Sequence, residues 1–106
     1  DSIIDALHLQ FLDDSCRIAV QDMLVLSGFS LEELVALVDC GALEPEGMTV
    51  EAWTFSARSA LMARRAAALR LEFGLDTQGT SLVLGLLDRI EEMERRMREL
   101  ECQLLR

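Results

Sequence analysis

Side chains suited to catalysis or metal binding are scarce in this sequence. It holds a single histidine, His8, and three cysteines that lie far apart, Cys16, Cys40 and Cys102. No two of them have the short spacing of a metal site or redox motif, and neither a glycine-rich phosphate loop nor an HExxH motif occurs. His8 also has no evident serine or cysteine partner for nucleophilic catalysis. We therefore predict a protein that is not an enzyme and that holds no metal and no cofactor.

Long apolar runs are missing as well. The longest, residues 82–87, has six residues, whereas a membrane-spanning helix needs about 20. The amino end is acidic and lacks the basic flank of a signal peptide. With 106 residues, of which 51% are hydrophobic, the chain has enough apolar side chains for one compact domain and one extra element. These features, with the separated cysteines, favour a cytoplasmic protein with reduced thiols.

Lysine is absent, so that all ten basic residues are arginines, and these are unevenly distributed. Residues 1–53 carry one arginine, Arg17, against eleven acidic residues, whereas residues 54–106 carry nine arginines against eight acidic residues. An acidic half repels nucleic acid and favours a basic protein partner. Any surface that binds DNA would have to use the arginines of the second half.

Two short helices joined by a tight turn are predicted in the first half. Residues 20–27 have the apolar spacing of a short helix that ends at Gly28. Ser30 and Glu33 have the spacing of a capping box, which begins a second helix, and Gly41 suits its left-handed end. The inward positions of this second helix are Leu34, Leu37 and Val38. The pair has the form of a helix-turn-helix.

The segments on either side are less regular. Residues 7–20 fit two short strands around an acidic turn, although Ile3, Ile4, Leu7 and Phe11 also fit a helix; we favour strands. Pro45 and Gly47 indicate a turn, and residues 49–50 and 53–55 then favour a short strand in the position of a wing.

Ser56 is predicted to cap a long helix that ends at Phe73 and Gly74. Its inward stripe is predicted to be Met62, Ala66, Leu69 and Phe73.

A last helix, capped by Asp76 or Thr77, carries a coiled-coil pattern over three heptads. Its apolar positions, three and four residues apart, are Val83, Leu86, Ile90, Met93, Met97, Leu100 and Leu104. An isolated helix cannot bury such a stripe, so we predict a homodimer whose interface is formed by the last six of these residues. We expect residues 1–74 to form a winged helix-turn-helix-like domain with an N-terminal extension and a long linking helix, and residues 75–106 to form the dimerisation helix.

The order of these motifs resembles MerR-type winged-helix regulators and, more closely, the small chaperone-modulator (CbpM-like) family. The residues that carry the resemblance are Ser27-Gly28-x-Ser30-x-Glu32-Glu33-Leu34, Gly41-x-Leu43-Glu44-Pro45, Trp53-x-Phe55, Leu69-Arg70-x-Glu72-Phe73-x-Leu75-Asp76-x-x-Gly79 and Leu84-x-Leu86-x-Asp88-x-Ile90. The resemblance covers about residues 16–106. It implies a mainly helical fold, MerR-like, with a small β element and a long C-terminal dimerisation helix.

The resemblance also implies a function. Members of the family bind the J-domain of a DnaJ-type (curved-DNA-binding) co-chaperone, block its stimulation of Hsp70 and oppose its DNA binding. Because a J-domain meets Hsp70 largely through a basic helix, a competitor should present carboxylates. The candidates for this partner-binding face are Glu32, Glu33, Asp39, Glu44 and Glu46. The family motif covers Glu32, Glu33 and Glu44, and the charge pattern adds the other two.

Two further interpretations stay open. One is a MerR-like DNA-binding transcription regulator that uses the arginines of the second half, among them Arg58, Arg64, Arg65 and Arg70. Against it, Trp53 stands where a phosphate-binding wing normally carries arginine, and the second helix would turn carboxylates toward phosphates. Pairing of these arginines with the acidic first half is the simpler expectation, and we expect no direct nucleic-acid partner. The other interpretation is an interaction domain for a different basic protein.

The direction of the predicted dimer is also open. In a parallel pair the g positions Arg89 and Arg96 would meet Glu94 and Glu101 of the partner helix. The MerR relatives that the chain resembles dimerise through an antiparallel coiled coil. Local charge and the resemblance therefore favour opposite directions.

Overall fold

A computed structural model describes residues 16–105, which form four helices and a small sheet. In chain order the elements are β1 (Arg17–Ala19), α1 (Val20–Ser27), α2 (Leu31–Asp39), a 3₁₀ turn (Val50–Ala52), β2 (Thr54–Ser56), α3 (Ala57–Phe73) and α4 (Thr77–Leu104). The predicted fold class, mainly helical with a helix-turn-helix, a small β element and a long last helix, is confirmed. None of the helices within 16–105 is both long and apolar enough to cross a membrane. The division of the chain at residue 74 stays a prediction.

The sheet joins the start of the described chain to the wing segment. β1 and β2 are antiparallel, with Ile18 opposite Phe55, and Thr54 also forms an isolated bridge to Glu46 on its other side. The predicted strand at residues 49–50 is wrong, because Val50 begins the 3₁₀ turn instead. Of the strands predicted in residues 7–20, Ile18 lies in β1 and Val20 begins α1; the rest, and His8, lie outside the described residues.

The predicted helix ends are confirmed. Ser30 Oγ accepts a hydrogen bond from the Glu33 backbone N–H, and Glu33 Oε1 accepts one from the Ser30 N–H, both at 3.1 Å. Ser56 caps α3 and Asp76 caps α4 through their side chains. The left-handed glycines that follow helices are Gly28, Gly41 and Gly74.

One core is shared by all four helices, and alanines form much of it. The buried residues of α3 include Ala60, Ala63, Ala66 and Ala67, all at most 4% exposed. Small side chains let helices approach closely, and α3 packs against both α1 and α4. The predicted stripe of α3 is therefore only partly right: Met62 and Ala66 are buried, and Leu69 is half-buried. Its last member is wrong, because Phe73 at the helix end is 66% exposed.

Candidate protein-interaction site

The buried side chain of Ser27 stabilises the turn between α1 and α2. Ser27 Oγ donates a 2.7 Å hydrogen bond to the Met23 carbonyl oxygen and accepts one from the Phe29 N–H. Phe29 is 4% exposed, so that its ring belongs to the core. This arrangement fixes the direction in which α2 leaves the turn and hence the position of its carboxylates.

Three of the predicted partner-binding residues are exposed carboxylates that form no ion pair within residues 16–105: Glu32, Asp39 and Glu44. Glu32 lies in the first turn of α2 and Asp39 is its last residue. Glu44 follows Leu43, which is buried and whose N–H donates to the Leu37 carbonyl oxygen at 3.3 Å. We call these three carboxylates the acidic surface.

The other two predicted residues already have arginine partners. Glu33 belongs to the capping box and also pairs with Arg70 of α3. Glu46 Oε2 lies 3.8 Å from Arg17 Nε, and Arg17 in turn donates a 2.9 Å hydrogen bond to the Thr54 carbonyl oxygen. A charged residue that holds a partner inside the chain is less available to a second protein. The charge pattern alone does not distinguish these two residues from the three of the acidic surface, because their arginine partners are distant in sequence.

The arginines of α3 have different environments. Pairing with the acidic first half is confirmed for Arg70, which joins Glu33, but it is wrong for Arg58. Arg58 joins α4 instead, with Nη2 at 2.8 Å from Asp88 Oδ1 and Nε at 3.2 Å from Glu91 Oε1. Arg64 and Arg65 are exposed.

The wing aromatics face the interior. Phe55 is fully buried, and the Trp53 ring meets it edge-on at 6.3 Å between centroids. Trp53 is partly buried against the core, and its carbonyl oxygen accepts the Val20 N–H at 3.2 Å. The ring contact with Phe55 and the partial burial favour a packing role for the Trp53 side chain over an exposed binding one.

The predicted dimer residues form an exposed apolar stripe on α4, which consists of Leu86, Ile90, Met93, Met97, Leu100 and Leu104. They are 48–84% exposed. The core is contacted by another face of α4, which buries Thr80, Leu84 and Leu87. At 3.6 residues per turn the two faces lie about a third of a turn apart. The stripe has no partner within residues 16–105.

A cleft that sequence reasoning missed adjoins Glu44. It has a volume of about 270 Å³ and lies between the loop after α2, α3 and α4; its lining residues are Gly41, Ala42, Leu43, Glu44, Ser59, Met62, Leu84, Gly85 and Asp88. The sequence contains one indication of this cleft. Gly85 lies inside a helix, where glycine lowers stability and usually has a packing or functional role.

The described part of the chain contains no group of three or more histidine, cysteine or acidic residues arranged to hold a metal ion. The chemistry that this surface offers is that of carboxylates and apolar side chains. It suits recognition of a basic protein.

Comparison with known proteins agrees with this description. A family model described as MerR HTH family regulatory protein matches residues 18–102. The chain is 40% identical over 60 residues to the chaperone modulatory protein CbpM of Pseudomonas putida strain W619, a match that spans 57% of this chain and only 59% of that protein. It is 35% identical over 80 residues to the chaperone modulatory protein CbpM of Escherichia coli strain K12 / DH10B, over 76% of this chain and 79% of that protein. The resemblance found in the sequence is thereby confirmed. The chain belongs to the MerR-type helix-turn-helix proteins and, among them, to the family of CbpM chaperone modulatory proteins.

Proposed function

We propose that this protein is a non-enzymatic inhibitor of a DnaJ-type co-chaperone in the cytoplasm, which binds the J-domain and denies it to Hsp70. The observation that carries the proposal is the acidic surface, where Glu32, Asp39 and Glu44 are exposed and form no ion pair within the described residues 16–105. The names of the relatives support a chaperone partner.

Electrostatics favours this partner over DNA. The chain has a net charge of −9. Two carboxylates of the acidic surface, Glu32 and Asp39, lie on the second helix of the helix-turn-helix and Glu44 follows it, where a MerR-like regulator would approach phosphates. Each carboxylate there repels DNA, whereas it attracts the basic helix of a J-domain and speeds the encounter. The capture of the co-chaperone would also limit its DNA binding indirectly.

The DNA-binding alternative has one supporting observation. Arg64 and Arg65 are exposed on α3 and form no ion pair within residues 16–105. Two adjacent arginines make few phosphate contacts, and the affinity they supply falls steeply with salt. A DNA-binding screen at physiological salt distinguishes the two functions.

We propose, further, that the protein acts as a homodimer through the exposed stripe of α4. The charge argument for a parallel pair is weakened because Arg96 already has a partner in its own helix. Its Nε lies 3.4 Å from Glu92 Oε1. The direction of the pair therefore depends on apolar packing more than on these charges.

The decisive experiment is calorimetry of the full chain against the isolated J-domain of the co-chaperone from the same cell, at low and at physiological salt. We expect binding that weakens with salt, and a loss of more than about tenfold (1.4 kcal/mol) for Glu32→Arg/Glu44→Arg. Glu33→Arg is avoided because it would also break the capping box. Glu99→Arg, at the far end of α4, reverses one charge away from the acidic surface and should bind as the wild type does.

A functional readout completes the test. Addition of the chain should reduce the stimulation of Hsp70 ATPase activity by the co-chaperone, and Glu32→Arg/Glu44→Arg should restore it. An absence of J-domain binding at both salt concentrations would contradict the proposal.

A further inference from the structure

The cleft beside Glu44 combines an apolar floor with a charged rim. The side chains of Leu43, Met62 and Leu84 that line it belong to residues at most 6% exposed, so that its floor is the surface of the core itself. Glu44, from the loop after α2, and Asp88, from α4, both line it. The volume of about 270 Å³ lies below the roughly 300–1,000 Å³ of sites for small molecules. A cleft of this size and composition suits a side chain of another protein.

Gly85 keeps the cleft open. It lies in the interior of α4, where glycine destabilises a helix relative to alanine. A Cβ placed on Gly85 would have no heavy atom within 4 Å, so that internal packing gives no reason for a glycine there. Since Gly85 lines the cleft, a side chain at this position would reach into the open space. A larger side chain at this position would therefore take up part of the cleft.

The charge around the cleft specifies what enters it. Asp88 pairs with Arg58, which is shared with Glu91, and the Asp88 side chain stays 63% exposed. Glu44, which forms no ion pair within residues 16–105, and Asp88 therefore give the cleft two carboxylates, of which one is paired with an arginine. The complementary ligand is an apolar side chain flanked by lysine or arginine. An apolar core within a polar rim is also the usual arrangement of a protein–protein contact.

We propose that this cleft receives an apolar side chain of the basic J-domain helix, while neighbouring basic residues of that helix meet Glu44 and Asp88. The inference rests on the proposed function and extends its binding site from the helix-turn-helix to α3 and α4. Gly85 and Asp88 become specificity-determining residues. The apolar stripe of α4 lies on a different face of the helix from Gly85 and Asp88.

The test is calorimetry of full-chain variants against the same J-domain. Gly85→Leu fills the cleft and should weaken binding at least tenfold, without lowering the midpoint of thermal unfolding, because leucine favours the helix. Gly85→Ala adds one methyl group and should bind within about threefold of the wild type, with a higher unfolding midpoint. Cys102→Leu adds an equally large apolar side chain at an exposed position far along α4 and should bind as the wild type does.

The possible outcomes separate this inference from the function on which it rests. If the wild type binds and Gly85→Leu binds equally well, the cleft is not the docking site and the proposed function stands. If the wild type does not bind the J-domain, both the inference and the proposed function fail.

Should Gly85→Leu unfold, Asp88→Asn provides the test instead. This substitution keeps the shape of the side chain and leaves the contact of Arg58 with Glu91 intact. Weaker binding with a shallower salt dependence supports the cleft, and unchanged binding overturns it.

Discussion

Arg70 lies over the ring of Phe29, with its guanidinium carbon 5.0 Å from the ring centroid. Phe29 belongs to the turn of the helix-turn-helix and Arg70 to the last turn of α3, so that the contact fastens the turn to the central helix. The same guanidinium pairs with Glu33, which in turn caps α2. One arginine thus connects an aromatic side chain of the core, a helix cap and the helix that presents the acidic surface.

Arg70→Ala should lower the free energy of unfolding by about 1–3 kcal/mol, because it removes the cation–π contact and leaves the partly buried Glu33 carboxylate without its partner. Urea denaturation measures the loss. Arg64→Ala is the matched control, since Arg64 is exposed on the same helix; its effect should stay within about 0.5 kcal/mol. Equal effects of the two substitutions would show that the contacts of Arg70 do not stabilise the fold.

Two glycine-to-alanine substitutions should change stability in opposite directions. Gly47 has φ of 122°, and a Cβ there would lie 2.5 Å from the Ala52 carbonyl oxygen, so that Gly47→Ala strains the wing by about 1–3 kcal/mol. Gly85→Ala meets open space in a helix interior and should stabilise by roughly 0.5–1 kcal/mol. Thermal unfolding followed by circular dichroism gives both signs. A Gly47→Ala variant with the same unfolding midpoint as the wild type would contradict the backbone geometry of the wing.

Local signals in the sequence predicted the helix ends well. Ser30 and Glu33 form a capping box within four residues, and the left-handed position after α3 falls on Gly74; both depend on neighbouring residues only. The core of α3 was harder to predict. Because α3 is packed on two sides, its buried surface follows small alanines, whereas the large and apolar Phe73 lies at the exposed helix end. A prediction of burial from hydrophobicity alone therefore places Phe73 ahead of the alanines, which is the reverse of the order in the structure.

The candidate site was predictable only in part for the same reason. Charge and resemblance indicated five carboxylates, yet which of them are free depends on Arg17 and Arg70, and Arg70 is 37 residues from Glu33. The cleft depends on three segments that meet only in the folded chain. Such juxtapositions arise from tertiary packing, which periodicity along one helix does not report.

Acid should weaken α4 through one exposed cluster. The hydrogen bond from Arg95 holds the pKa of the Glu92 carboxyl below its ordinary value of 4.5. A lowered pKa in the folded state contributes stability above the unfolded value, and this is lost as pH falls through the folded pKa. Glu92→Gln should therefore lower the unfolding midpoint at neutral pH, and the difference should shrink as the pH falls below 4.5. The difference should be slight at every pH because solvent screens so exposed a pair. A difference that does not change with pH would assign the effect to something other than this charge.

The exposed stripe of α4 should determine the mass of the protein in solution. Ile90 and Met97 are 48% and 59% exposed, which leaves a long apolar surface in water unless a second copy covers it. Light scattering at micromolar concentration should give twice the chain mass of 11.9 kDa for the wild type. Ile90→Glu/Met97→Glu should give a single chain, because two carboxylates would be buried in the interface. Cys102→Glu, exposed on α4 outside the stripe, should stay dimeric, and a wild-type mass of one chain would refute the dimer.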